Sequence, residues 1–261
     1  MDTQFIFGIT AGADIGEVGE KEIENQTTLN SAKRSGSYAS ITNEVTFEDV
    51  PVEDLRLEVG LPIVRHDISG VAGFDDLHRT SVAGLVTSVR YKVLDRDAHP
   101  FALTLGAEPR WSRIDDVSGA SVQSVGADFS LAADVVAIPG VLFAAANFLY
   151  EPDWTRAGAM GGWGRASTKA VLVSVACRLA RAAFVGMEAR SYWESEGLGF
   201  GRFSGRALYV GPTMFVKITD DLAISGAFGY QVSGHAAGDP ASLDLENYTR
   251  REGTLRLEFS F

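Results

Sequence analysis

The chain has 261 residues, 46% of them apolar, and a formal net charge of -11 at pH 7. No apolar run approaches the roughly 18 to 20 residues that a membrane helix needs, which excludes a helical membrane protein. The acidic balance argues against a protein whose main business is to neutralise nucleic-acid phosphates, and the single cysteine, Cys177, excludes an internal disulfide framework or a multi-thiolate metal site. The start, Met1-Asp2-Thr3-Gln4-Phe5, has neither a basic n-region nor an apolar h-region, so no export signal is read and a mature form with an added initiator Met is expected.

Along the chain, about twelve stretches alternate apolar and polar residues with a period of two, each near the 9 to 11 residues of a tilted membrane strand. The first, about 3 to 14, sets Phe5, Phe7, Ile9, Ala11 and Ala13 against Gly8, Thr10, Gly12 and Asp14. The acidic segment from Glu17 to Ser35 has no apolar period and reads as a mobile loop. A second strand, about 37 to 48, turns near Val50-Pro51-Val52-Glu53 into a third, about 54 to 66, where Leu55, Leu57, Val59, Leu61 and Ile63 oppose Arg56, Glu58, Gly60 and His66. After a loop from Ser69 to Thr80 comes a fourth, about 81 to 93, with Arg90 and Lys92 on its polar face, then a short turn at Asp95-Arg96-Asp97.

Strands five, about 100 to 113, and six, about 122 to 135, place Glu108, Arg110, Asp128 and Asp134 on the polar face. Strand seven, about 141 to 151, follows the turn Ile138-Pro139-Gly140, and a Gly-rich loop around Ala157 to Gly162 precedes strand eight, about 163 to 179, with Cys177 outward and Arg178 inward. Strand nine, about 183 to 194, carries Glu188 and Arg190 inward, and strand ten, about 206 to 218, carries Lys217. Strand eleven, about 222 to 232, leads through a polar loop from Ser233 to Glu246 into strand twelve, about 247 to 261. Pro62, Pro109 and Pro212 fall inside these strands, where proline removes a ladder donor, so bulges or shifted boundaries are expected there.

Long and short connections alternate. Phe5, Phe47, Phe101, Phe259 and Phe261 fall near turn-side ends, and Trp111, Tyr150, Trp163, Trp193 and Tyr230 near loop-side ends, as two interface girdles require. A soluble barrel or sandwich also shows period two, but its polar face has no reason to favour small residues. In the last eight residues Leu255, Leu257, Phe259 and Phe261 alternate with Thr254, Arg256, Glu258 and Ser260, and the ending on Phe261 resembles the C-terminal strand of Gram-negative outer-membrane β-barrels. The resemblance implies a single closed, antiparallel, up-and-down transmembrane β-barrel over residues 1–261, all-β with about twelve strands, short periplasmic turns and longer extracellular loops. It also implies outer-membrane lipid and lipopolysaccharide as surroundings.

With the apolar phase outward, the inward face collects basic Arg56, Arg90, Lys92, Arg110, Arg178, Arg190, Lys217 and Arg256, and acidic Glu58, Glu108, Asp128, Asp134, Glu188 and Glu258. They form either a hydrated passage whose basic rows guide small polar or anionic solutes, or a salt-bridge network that fills the barrel. Twelve strands lie between barrels that side chains fill and those that hold an aqueous channel, and inward Tyr38, Tyr192, Tyr209 and Phe215 could constrict the bore. His66 is the one histidine near a strand end, no Ser-His spacing suggests a nucleophile with its base, and Asp75-Asp76-Leu77-His78 only superficially resembles the omptin pattern. The expectation is therefore a narrow passive channel without catalytic residues, cofactor or metal. The alternatives are a plugged barrel whose loops contact lipopolysaccharide or a partner, and a lipid- or peptide-modifying enzyme at the rim.

Overall fold

The computed structural model describes residues 3–158 and 161–261, so residues 159 and 160 of the predicted Gly-rich connection lie outside the described residues. Thirteen strands run β1 Lys21–Ser31, β2 Ser37–Val52, β3 Leu55–Ser69, β4 Leu77–Val82, β5 Gly84–Leu94, β6 Ala102–Ile114, β7 Ser121–Ile138, β8 Leu142–Ala157, β9 Gly164–Ala180, β10 Ala183–Glu196, β11 Phe203–Lys217, β12 Leu222–Ala236 and β13 Arg251–Ser260. Each wall strand pairs antiparallel with its neighbours, and β1 closes the ring between β2 and β13. β4 and β5 share one place in the wall, because β3 pairs with β5 from Leu55 to Gly60 and with β4 from Ile63 to Ile68. The result is a closed twelve-strand barrel with one extra strand.

Closure pairs the wall strands on both sides over most of their length, and it dictates the burial pattern. Outward Leu57, Val59, Leu85, Val89, Leu105, Leu131, Phe148, Val173, Val175, Met187, Met214, Leu255 and Leu257 are all exposed, forming a continuous apolar belt around the outside of the wall. Phe47, Phe101, Phe259 and Phe261 are exposed at the turn side, and Trp111 and Trp163 at the loop side. Phe5 is a correction: it is buried in the lumen, outside any girdle.

Three strand assignments change. The stretch from 3 to 14 alternates like a strand but forms turns inside the barrel. The segment read as a mobile loop contains β1, whose partners run from Glu22 with Ser260 to Ser31 with Arg251. Its outward phase is half polar, which hid it. Asn25 and Asn43 donate to each other's side-chain oxygens at 3.1 Å, and Asn43 donates to Thr27 Oγ1 at 2.8 Å. The predicted fourth strand begins earlier, as β4, and breaks at Ala83.

The prolines sit where the ladders skip. Pro62 lies where β3 exchanges β5 for β4, Pro109 in the gap between the Val86–Arg110 and Val89–Ala107 pairs, and Pro212 in the gap between the Val210–Tyr230 and Thr213–Ala227 pairs. A missing N–H is tolerated at these interruptions. The tight β2–β3 turn puts Asp54 at φ 63°, a left-handed conformation that aspartate accepts.

A charge at the centre of the apolar belt tests directly whether the belt meets lipid. Val173→Arg, on the outward face of β9 near mid-strand, is expected to lower stability by about 2–4 kcal/mol in urea unfolding from liposomes. An unchanged midpoint would remove Val173 from the belt.

Candidate functional site

The turn-side half of the lumen is filled by the chain's own N-terminal segment. From Gln4 to Ile9 the backbone turns on itself, with Gly8 at φ 88°, and the Gly12 amide donates to the Gln4 carbonyl at 3.0 Å. Ile6 and Phe7, 1% and 0% exposed, pack on Phe143, Ala145, Ala176 and Phe184, an apolar patch on the inner wall, with Val136 and Phe215 alongside. Apolar inward residues thus sit where the segment needs partners.

Backbone groups taken out of water must be satisfied, and the wall supplies the partners. Ile9 and Thr10 amides donate to Glu188 Oε2 at 3.1 and 3.2 Å. Ala11 and Asn147 exchange two bonds, amide to Oδ1 at 2.7 Å and Nδ2 to carbonyl at 2.8 Å. The Ala13 amide and the Thr3 hydroxyl both donate to Asp134 Oδ2, at 2.7 and 2.6 Å. Ser174 donates to the Phe7 carbonyl at 3.0 Å, Thr104 to that of Ala13 at 2.5 Å, and Arg90 to that of Gly12 at 2.9 Å. Residues 3–16 therefore form a docked plug.

The charged residues expected to line a bore are largely joined to one another. Arg56 contacts Glu22 at 3.0 Å, Glu58 at 3.2 Å and Glu48, and also donates to Gln4 of the plug. Arg190, fully buried, lies between Glu188 at 3.1 Å and Glu252 at 2.9 Å. Arg256 meets Glu24 at 3.1 Å, and Arg110 meets Asp128 together with Asp153 at 3.8 Å. Lys92 holds Asp95 at 2.8 Å, and Arg178 lies over the rings of Phe143 and Phe184. Lys217 is exposed at the turn-side mouth. Glu258 accepts from Ser225 at 3.1 Å. Glu108 stands opposite Asp128 in the ladder, and among the described residues Glu44, Glu108 and Glu151 have no ion-pair partner. Sequence reasoning missed Glu22, Glu24, Glu48 and Glu252 because strand β1 was unrecognised, β2 was described only by its apolar phase, and β13 was read for its final residues.

Above the plug lies a cavity of about 200 Å³, lined by Glu24, Glu44, Glu48, Glu58 and Glu108 with Arg90 and Arg256. Its wall is predominantly acidic. On the loop side, residues 115–120 fold inward: Tyr38 donates to the Val117 carbonyl at 2.7 Å, and His66 Nε2 lies 2.8 Å from the Asp116 carbonyl. That contact makes His66 a fastener of the loop. The connection 237–250 also closes in, with Gln231 Nε2 donating to the Asp244 and Thr249 carbonyls at 3.0 and 3.1 Å. Lys33 joins it from the β1–β2 connection, donating to the Glu246 carbonyl at 2.7 Å, and burial pushes its ammonium down to about 8. Inward Tyr192 packs against Tyr209 and Tyr248 under this cap. Among the described residues no group of three or more His, Cys, Asp or Glu is placed to hold a metal ion.

Removing one partner of a fully buried charge cluster leaves the others uncompensated. Arg190→Met is expected to cost about 3–5 kcal/mol in urea unfolding, and a loss under 1 kcal/mol would show that Glu188 and Glu252 do not depend on it.

Solved structures share this architecture. The COG4313 outer membrane channel from Pseudomonas putida F1 superposes with a TM-score of 0.63 at 12% identity, over 95% of this chain and 98% of that one. The translocator domain of the autotransporter NalP from Neisseria meningitidis gives 0.55 at 15% identity, over 95% and 91%. At these identities the likeness establishes the fold alone, a closed antiparallel β-barrel. No curated protein sequence matches the chain. The model of one family, described as a family of unknown function, matches residues 1–261, and the chain belongs to that family, DUF6662.

Proposed function

We propose that this protein is a passive outer-membrane channel for small polar solutes, held closed by its own N-terminal segment. The observation that carries the reading is the plug of residues 3–16, docked through hydrogen bonds to wall side chains below an acidic chamber. A segment held mainly by polar contacts and one apolar patch can undock without breaking the ladder of the wall. The likeness to a barrel named as a channel supports the same reading. In this proposal the barrel sits in the outer membrane, with lipid against its belt and lipopolysaccharide around its loops.

The sequence suggested guidance of anions by rows of Arg and Lys. In the folded chain Arg56, Arg110, Arg190 and Arg256 are engaged by carboxylates, while Glu44, Glu108 and Glu151 are without ion-pair partners among the described residues. An acidic lining attracts cations. The solute preference in this proposal is accordingly for small cationic or neutral polar species over anions.

A second reading, a permanently closed structural barrel, draws on the inward folding of 115–120 and 237–250 at the opposite end. Conductance in planar bilayers separates the two. The wild-type barrel is expected to be mostly closed, and deletion of residues 3–16 to give lasting discrete steps with a cation-selective reversal potential. A heat-modifiable, correctly folded deletion variant that stays silent would favour the closed structural barrel. An anion-selective reversal potential would overturn the proposed solute sign.

Gly8 offers a gentler test. Its left-handed backbone disfavours a branched side chain, and a Cβ there would come within 2.5 Å of Thr213 Cγ2 on the wall. Gly8→Val is expected to shift docking toward the open form by about 1–2 kcal/mol, roughly 5- to 30-fold in open probability. Unchanged open probability would separate the conformation of Gly8 from gating.

A further inference from the structure

At the loop-side end of β3 the outward phase passes from the apolar belt into a polar cluster. Leu61 and Ile63 are exposed apolar residues, and Arg65, Asp67 and Ser69 follow on the same face. Strand β4 pairs with this segment so that His78 lies directly opposite Asp67. His78 Nδ1 is 3.1 Å from Asp67 Oδ1, and His78 Nε2 is 3.3 Å from Ser69 Oγ. One imidazole nitrogen faces the carboxylate and the other the hydroxyl, the order of partners that makes a serine nucleophilic.

The surroundings hold the three in place. Arg65 grips Asp67 through Nε at 2.7 Å and Nη2 at 3.2 Å. The backbone just past Ser69 is pinned by the Gly70 amide donating to Asp76 Oδ1 at 2.7 Å and the Ala72 amide donating to Ser35 Oγ at 3.1 Å. The His78 side chain is 64% exposed, so the site is open from outside the barrel. At about 3.3 Å of rise per residue along a tilted strand, Asp67 and Ser69 stand roughly 10 and 15 Å past Ile63 along the barrel axis, on the polar side of the apolar belt, where lipid headgroups would lie. Exposed Leu61, Ile63 and Val82 below them provide a track for an acyl chain.

We propose that Ser69, His78 and Asp67 form a serine-hydrolase site on the outer face of the rim, acting on carboxylic esters of membrane lipids. With neutral His78 donating Nδ1–H to Asp67, Nε2 accepts the Ser69 proton as Oγ bonds to the ester carbonyl carbon. The tetrahedral adduct breaks its bond to the alcohol oxygen, and His78 returns the proton to the departing alcohol. Water, deprotonated by His78, then cleaves the acyl-Ser69 bond, releasing a carboxylic acid and regenerating the hydroxyl. The net reaction is ester plus water to acid plus alcohol, with no redox partner. Ser69 and His78 are the catalytic residues, and Asp67 is a positioning residue. The site is independent of the plug and of the channel reading.

The test uses the full-length refolded barrel in detergent, with a fluorophosphonate probe and p-nitrophenyl acetate and laurate as substrates. Heat-modifiable mobility verifies that each variant is folded. The expected results are phosphonylation mapped by peptide mass to Ser69, faster turnover of laurate than of acetate, and a drop of about 10²-fold or more in Ser69→Ala. His78→Ala should fall similarly and recover in part with free imidazole, while Asp67→Asn should lower kcat with little change in KM. Absence of label on Ser69, or equal turnover by wild type and folded Ser69→Ala, would overturn the site. Equal turnover of acetate and laurate would overturn the assignment to lipid esters.

Discussion

Wall and plug meet at Glu188. One carboxylate oxygen accepts the amides of Ile9 and Thr10, and the other faces Arg190, which in turn reaches Glu252 on β13. A charge placed inside a closed wall is costly unless it is paired and hydrogen-bonded, and here each partner is also a structural tie. β10, β13 and the N-terminal segment are fastened through one ion cluster. Asp134 repeats the arrangement across the bore, accepting from Thr3 and Ala13 and pairing with Arg96 at 3.2 Å.

That constraint explains the polarity of the interior. A lumen lined only with small and apolar residues would pack a plug by area alone, whereas Asn147, Ser174, Thr104 and Arg90 fix its backbone at chosen atoms. Hydrogen bonds of this type contribute about 0.5–1.5 kcal/mol each, so docking is specific without being irreversible. The acidic chamber above the plug and the inward loops at the far end divide the bore into three zones. The rim cluster of Asp67, Ser69 and His78 faces the opposite side of the same wall.

Period two made most of the wall legible. From β2 to β13, apart from β4, the outward apolar phase is plain, and Pro62, Pro109 and Pro212 each mark a real interruption of the ladder. The same rule failed at the start because Phe5, Phe7 and Ile9 mimic a strand, although the turn at Gly8 and the inward burial of Ile6 send them into the lumen. β1 was hidden for the converse reason, since Asn25 and Thr27 satisfy their outward polarity with Asn43 across the strand pair. Ion-pair partners could not be chosen from spacing, because Arg256 on β13 and Glu24 on β1 become neighbours only when the ring closes. Nor could the Ser69–His78 contact, which spans the β3–β4 connection.

The most direct measurement of the central claim is hydrogen exchange at the amides of residues 3–16 in the folded barrel. A docked plug predicts that Ile9, Thr10, Ala11 and Ala13, whose amides bond to Glu188, Asn147 and Asp134, exchange many-fold more slowly than a free peptide of the same sequence. Exchange at the free-peptide rate while the strands stay protected would contradict a plugged lumen.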